Sequence, residues 1–472
     1  MAILDISIIN VAVPTIQNEF GANTSDAQWV VTTYALAEGV VVPVSAWLSD
    51  RLGLSRVYNL ALLGFAGGSA LCGLAWSLQS LVVFRLVQGL LGGVLPTVTM
   101  TILLRIVPRE RLGAAVGLYG LGAMVAPAIG PALGGYFVEY VNWRLIFFIN
   151  VPVGILGWVA AVLVLPKFSA RPGRRLDVLG FVTVASAMFA LLLALSKAED
   201  WHWTSYRILG LIAYGVFSLA LFVVIELAIN DPLLDLHVFR YAAFTQSLLL
   251  IVSMTAVLFA VLFYVPQFLQ QVQGMGALDT GLALLPPALA MGLLMPVTGR
   301  IADRFGPRPP AVIGLAIATW GTYLLHTITI DTSREHIIWY LTVLYVGIGI
   351  GLMPIMSAGL AVIPPVLTNA ASAFNNVIQR TAGALGVAVF TAIVTVQRSQ
   401  LMAGRAALLP DNTPIPHLAA DSPRWLDVYA VYQQTDLQVY ADTIGNLFLI
   451  ATAISAVTTV GALFLRRTST YS

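Results

Sequence analysis

The sequence predicts an all-α polytopic membrane protein with fourteen transmembrane helices, built as two six-helix bundles with two extra helices between them. Three observations predict it. Apolar runs of about twenty residues recur along the chain without period-two alternation, which is the length of a helix crossing a ~30 Å hydrocarbon core. Hydrophobic residues make up 58% of the chain and charged residues 10%, against the ~25% charge of a soluble domain. Finally, one loop pattern occurs twice, with more than half the chain between the copies.

The apolar segments fall at about 1–17, 28–49, 57–77, 79–104, 112–138, 144–166, 178–197, 206–229, 243–270, 280–301, 309–329, 337–363, 370–397 and 443–465. Backbone groups inside lipid must be satisfied within the segment, and non-alternating runs do this as helices. The first residues, MAILDISIIN, lack the basic start and small-residue cleavage site of a signal peptide. Alternate loops differ in charge. One set carries fifteen Lys and Arg residues and the other seven, with Arg85 and Arg380 inside spans. The richer set is expected on the cytoplasmic side, with both termini there. The polar stretch 398–442, with Pro410, Pro414, Pro416, Asp411, Asp421, Asp427 and Asp436, is expected to face outward as a flap or as the surface that docks a periplasmic adaptor.

The repeated loop reads Ala46-Trp-Leu-Ser-Asp50-Arg51-Leu-Gly53-Leu-Ser-Arg56 after the second span, and Gly299-Arg-Ile-Ala-Asp303-Arg304-Phe-Gly306-Pro-Arg308 after the tenth, 253 residues on. Each copy places a small residue at the helix end, an Asp one turn later, then Arg and a turn glycine. The Asp can accept hydrogen bonds from a neighbouring helix N-terminus, and the Arg can pair across the loop. Together they form a releasable cytoplasmic latch. Parallel repeats along the membrane normal are a transporter design. They divide the chain into 1–166, a two-helix insert at 167–236, and 237–472.

The fifth span holds GAMVAPAIGPALGG. Gly122, Ala126, Gly130 and Gly134 recur every fourth residue as a smooth stripe, with Pro127 and Pro131 on the adjoining row and Gly135 beside it. Such a stripe admits a close neighbour, and the prolines bend the helix. It is expected to be a moving seam against the tenth span, with its Pro286-Pro287, Gly292 and Pro296.

These motifs resemble the major facilitator superfamily, in particular its fourteen-span drug:proton antiporters of the bacterial multidrug efflux type, over essentially the whole chain. Leu4-Asp5-Ile-Ser-Ile-Ile-Asn10-Val-Ala-Val-Pro14 resembles the first-span motif of fourteen-span members, and the two latch loops resemble the family's loop motif. Ala46 stands for the usual glycine, and Leu54-Ser55 where a basic pair is common, so the N-terminal latch is expected to be the weaker unless Arg56 substitutes. Leu81-Val-Val-Phe-Arg85-Leu-Val-Gln88-Gly89 resembles the fourth-span motif tied to proton coupling. The Gly130-Pro131 and Gly134-Gly135 stretch resembles the fifth-span antiporter motif, and Asn142-Trp143-Arg144 through Gly154 is a further family-like signature. The resemblance implies a bacterial cytoplasmic (inner) membrane exporter without cofactors, driven by the proton gradient.

A charge inside a bilayer costs several kcal/mol, so intramembrane ionisable residues are functional candidates. Asp5 and Glu38 are the candidate proton carriers. Arg85 stays protonated and would bias a nearby carboxylate. Proton and substrate would then compete for one site. The expected substrate cavity comprises Asn10, Gln88, Tyr119, Tyr264, Asn375, Asn376, Gln379 and Arg380. Asn376 and Arg380 share a helix face, as a cavity lining or as a structural network.

Other function classes find little support. Cys72 alone excludes an intrachain disulfide, and the five histidines show no metal-ligand spacing. Gly347, Gly349 and Gly351 lie in an apolar span and argue for helix packing rather than nucleotide binding. No Ser/His/Asp set, P-loop or nucleic-acid motif emerges, so an enzyme is the least expected reading. The leading expectation is proton-coupled export of amphipathic or cationic drugs by alternating access. The alternatives are export of one endogenous lipid or metabolite with drug efflux incidental, and a sensor or scaffold that has lost transport.

Overall fold

A computed structural model of the chain describes residues 1–168, 176–229, 231–407 and 424–465, and all regular structure among them is helical. The helices are α1 (Ala2–Glu19), α2 (Thr24–Leu52), α3 (Leu54–Gly73), α4 (Leu78–Ile106), α5 (Leu112–Tyr140), α6 (Leu145–Phe148), α7 (Asn150–Val164), α8 (Val178–Trp201), α9 (Tyr206–Ala228), α10 (Ala242–Gln271), α11 (Ala277–Phe305), α12 (Arg308–His326), α13 (Arg334–Ala361), α14 (Thr368–Ala407) and α15 (Arg424–Ala462). α6 and α7 meet at Ile149 and make one apolar stretch, Leu145–Val164.

Local chemistry sets the helix ends. Asn23 caps α2 by accepting from Asp26 N at 2.8 Å, and Ser77 and Ser80 form a reciprocal capping box on α4. Gly53 and Gly306 both sit at φ 89°, each turning the chain directly from one helix into the next, at the same place in the two repeated loops. Among the described residues, eleven helices are long and apolar enough to cross a membrane. The shorter α1, α3 and α12 are not among them, so composition alone carries eleven of the fourteen expected spans.

Packing sorts the helices into two groups. In the first, α2 and α3 pack on α4, α1 on α5, and α3 on α7. In the second, α11 and α12 pack on α13, α15 on α12, and α14 on α10. Two seams join the groups, α5 along α11 and α13, and α14 along α2 and α4. α8 and α9 pair, and α8 lies against both α2 and α14. Large apolar side chains such as Leu156, Leu163, Phe217, Val224 and Leu293 are exposed, as expected of faces turned to lipid.

Two expectations change. Within the stretch 398–442 the described residues are helical rather than loop, because α14 continues to Ala407 and α15 begins at Arg424. A 40-residue helix spans about 60 Å at 1.5 Å per residue, so α14 reaches far beyond the hydrocarbon. Arg398 and Asp436 clamp these extensions together, Arg398 Nη2 lying 2.7 Å from both carboxylate oxygens. The adaptor surface expected around residues 408–423 lies outside the described residues. The second change concerns the fifth-span stripe. A Cβ at Gly130 or Gly134 would meet Ser7 and Ile8 of α1, while Gly122 and Gly135 have open space beside them. Ala126 and Pro127 are half-buried, and the side chain of Pro131 is outside the described set. The contact with α11 lies nearer the start of α5. Gly113 meets the Gly299 backbone, Gly117 meets Met295 and Pro296, and Gly120 meets Met295 and Met353. Glycine spacing made both stripes available, and the longer run happens to face α1.

Candidate functional site

Two buried ion pairs organise the membrane interior. The first lies wholly within the first group of helices. Asp5 on α1 pairs with Arg85 on α4, and their side chains are 1% and 0% exposed. Gln88 Nε2 and Asn150 Nδ2 also donate to Asp5 Oδ1, at 3.0 and 2.9 Å. Arg85 donates from Nε to Val30 O at 3.0 Å and from Nη1 to Gln88 Oε1 at 2.9 Å, and its guanidinium lies 4.1 Å over the Tyr34 ring. Asn150 reaches on to Ser69 Oγ at 3.1 Å. Arg85 and Gln88, three apart, share one face of α4. Gly68 on α3, Gly89 and Gly93 leave room for the surrounding backbones. A Cβ at Gly89 would strike Tyr34, and one at Gly93 would strike Glu38.

The second pair crosses between the groups. Arg380 on α14 donates to Glu38 Oε1 on α2, with its other guanidinium nitrogen against Oε2. Glu38 is 1% exposed and Arg380 25%. Tyr34 from α2 and Tyr119 from α5 lie within electrostatic reach. Along α14, Gln379 donates to Asn375 Oδ1 at 3.1 Å and Asn376 to Ser372 O at 2.9 Å. Three helices thus converge on one charge pair at mid-span.

The repeated loops sit at one end of the bundle, called here the basic end. Asp303 Oδ1 and Oδ2 accept from Gly113 N at 2.8 Å and Ala114 N at 3.0 Å, capping the start of α5 across the seam. Asp50 behaves differently. It accepts from Asn369 Nδ2 in the first turn of α14, and Arg105 lies 3.9 Å away while donating to Asn369 Oδ1 at 3.3 Å. The loop arginines do not pair as expected. Arg51 lies over Trp47 and Arg304 over Phe305. Arg56 and Arg308 are exposed with no acidic partner among the described residues. A cavity of about 420 Å³ opens beside this end, lined by Leu104, Arg105, Leu112, Phe168, Ile363 and Thr368, apart from both mid-span pairs.

The expected cavity residues therefore divide. Arg380 and Tyr119 lie at Glu38, whereas Asn375, Asn376 and Gln379 bond within α14 and none is placed against Glu38. Gln88 does not line a cavity, because it is fully buried and spent on Asp5 and Arg85. Tyr264 is also buried, donating to Thr391 Oγ1 at 2.7 Å to tie α10 to α14. Asn10 is exposed and has no hydrogen bond among the described residues. Sequence reasoning missed Asn150, Ser69, Asn369 and Arg105. Asn150, a lone amide in an apolar run, was the one with a readable signal.

A helical bundle buried in lipid, with charge pairs at its core and at a seam between two helix groups, defines a polytopic membrane carrier. Residues 1–387 match the Major Facilitator Superfamily, and the chain belongs to it. It is 35% identical over 395 residues to the uncharacterized MFS-type transporter YhcA of Bacillus subtilis, covering 84% of this chain and 74% of that protein. It is 33% identical over 430 residues to the tetracenomycin C resistance and export protein of Streptomyces glaucescens, covering 90% of this chain and 78% of that one. The fold is shared with the proton:xylose symporter XylE bound to 6-bromo-6-deoxy-D-glucose, at TM-score 0.58 and 14% identity over 99% of this chain and 94% of that one. The protein is a multi-pass membrane transporter, and not an enzyme.

Proposed function

We propose that the chain is a proton-coupled exporter of amphipathic compounds, drugs among them, in a bacterial inner membrane. α1, α3 and α12 also cross, giving fourteen spans. The basic end and both termini face the cytoplasm. Residues 1–166 and 237–472 act as two rocking bundles, with 167–236 as the insert between them. The observation that carries this reading is the Glu38–Arg380 pair, which joins the bundles across the α2/α14 seam while Asp303 joins them at the basic end. A proton on Glu38 removes the charge that holds the seam, so protonation and opening are linked. Asp5, already served by three donors, acts with Arg85 as the fixed support of the same bundle. The relative named for resistance and export supports the outward direction.

The test uses purified protein in proteoliposomes with an imposed pH gradient and a panel of cationic and uncharged amphipathic dyes. At least one dye should move against its gradient as the pH gradient collapses. Glu38→Gln should cut both movements at least tenfold. If a folded protein leaves the pH gradient undisturbed with every dye, the antiport reading fails.

A further inference from the structure

The chemistry of the Glu38–Arg380 pair narrows what the carrier recognises. The following rests on the exporter reading above. Both intramembrane pairs are internally neutral, so the mid-span region offers no carboxylate without a cation among the described residues. The burial is lopsided. Glu38 is enclosed, whereas a quarter of the Arg380 side chain is exposed. The Tyr34 Oη and Ser372 Oγ atoms are buried without a hydrogen-bond partner. Ser372 lies about two turns from Arg380 along α14, while the Tyr34 hydroxyl sits beside Gly92 and Phe65, with its ring under Arg85. The ionisable neighbours of Glu38 are Tyr34 on its own helix, Arg380 from α14 and Tyr119 from α5. α4 presents Gly93 there, and α8 presents Leu192 against Gly39.

Three kinds of ligand can be weighed against this pair. A simple cation offers Glu38 only what Arg380 already supplies, and it displaces a guanidinium that cannot lose its charge. A simple anion takes Arg380 and leaves an enclosed carboxylate bare. That carboxylate would take up a proton together with the ligand, which opposes antiport. A ligand with a hydrogen-bond donor beside an acceptor replaces both partners at once, its donor on Glu38 and its acceptor on Arg380, so neither buried charge is abandoned. Protonation of Glu38 then competes with that ligand, as exchange requires.

We infer that Glu38 and Arg380 are the substrate-recognition pair, and that it takes uncharged or zwitterionic amphipaths carrying a hydrogen-bond donor next to an acceptor in preference to simple cations. This narrows the amphipathic or cationic drugs expected from sequence to the uncharged and zwitterionic ones.

The experiment measures binding to purified protein in nanodiscs of two probes, anthraquinone-2-carboxamide (uncharged, an amide N–H beside its carbonyl) and tetraphenylphosphonium (a lipophilic cation without donors). The unmodified protein should bind the anthraquinone at least tenfold more tightly, with affinity falling on acidification. Arg380→Gln should weaken the anthraquinone at least tenfold and strengthen the cation, because the internal competitor for Glu38 is gone. Arg380→Lys keeps the charge without the fork, so it should weaken the anthraquinone yet still reject the cation. A purely structural pair would lower both affinities together. A preference for tetraphenylphosphonium in the unmodified protein, an unchanged preference in folded Arg380→Gln, or binding of neither probe overturns the inference. Proton movement coupled to the cation alone would do so while leaving the exporter reading standing.

Discussion

The two ion pairs of the membrane interior use the same chemistry for different ends. Asp5–Arg85 lies inside one helix group, almost fully buried, with further hydrogen bonds from Gln88 and Asn150 to Asp5 and from Arg85 to Val30, and the Tyr34 ring against the guanidinium, although Arg85 Nη2 has no hydrogen-bond partner. Glu38–Arg380 lies between groups, with one member enclosed and the other open. A fully buried pair held by several further hydrogen bonds resists rearrangement, because breaking it strands a charge. A pair with an open side can exchange partners. The contrast separates a fixed brace from a switch.

Removing the carboxylate from each pair breaks the comparison most sharply. Asp5→Ala leaves a permanently charged guanidinium at 0% exposure and should cost about 3–5 kcal/mol, the range for an orphaned buried charge. Glu38→Ala leaves Arg380, already 25% exposed, able to reach water, and should cost no more than about 1 kcal/mol. Thermal unfolding in detergent micelles reads the difference directly. Equal losses would mean that both pairs are braces, and the switch would have to be sought elsewhere.

The two seams were not equally legible in the sequence. Helix positions follow from apolar run length, so the helices fall close to where the hydropathy places them. The Asp303 contact with the start of α5 was also readable, because the repeated loop carries its own physical logic of carboxylate against helix N-terminus. The charge pairs were readable only as unpaired members. Asp5 and Arg85 are 80 residues apart, and Glu38 and Arg380 are 342 apart. Nothing in one chain's spacing states which helices adjoin. The fifth span does pack on the tenth, as expected, with Gly292 and Pro296 at the contact, but the same ignorance misplaced the face it uses, since Gly130 and Gly134 turn to α1. Glycine periodicity marks a face that can be approached closely, and the partner depends on the bundle. Asp50 shows the other limit, since its partners Asn369 and Arg105 come from two further helices.

That misplacement sharpens the comparison of seams. A side chain at Gly299 would drive into the Gly113 backbone, with no flexible atom to yield. Gly299→Leu should therefore part α5 from α11 and lower transport at least tenfold while the protein still folds. Gly122→Ala meets nothing within contact distance and should leave transport within about twofold, since a Gly-to-Ala change in a helix interior is worth only ~1 kcal/mol. Dye efflux from proteoliposomes, normalised to folded protein, distinguishes the two. A larger loss from Gly122→Ala would return the seam to the longer stripe.

The smallest effect belongs to an ion pair outside the membrane core. Glu19, the last residue of α1, lies 2.6 Å from Arg144 and accepts from the Trp143 indole. Arg144 also donates to Ala75 O at 2.9 Å, closing the end of the first helix group. Burial pushes the Glu19 carboxyl up, but the hydrogen bonds from Trp143 and Arg144 and the Arg144 charge outweigh it and hold the group below the usual carboxylate range. A folded-state value below the unfolded one adds stability at pH values above the ordinary carboxylate range of about 4.3. That stability is lost as pH falls through the lowered folded value. Because Glu19 is 41% exposed, solvent screens the pair, and Glu19→Gln should cost less than about 1 kcal/mol at pH 7. The cost should vanish as the medium is brought to strongly acid pH. Unfolding temperatures of the two proteins measured between neutral and acid pH should converge at the acid end. A gap that persists unchanged would mean that Glu19 acts there by shape and hydrogen bonding, without its charge.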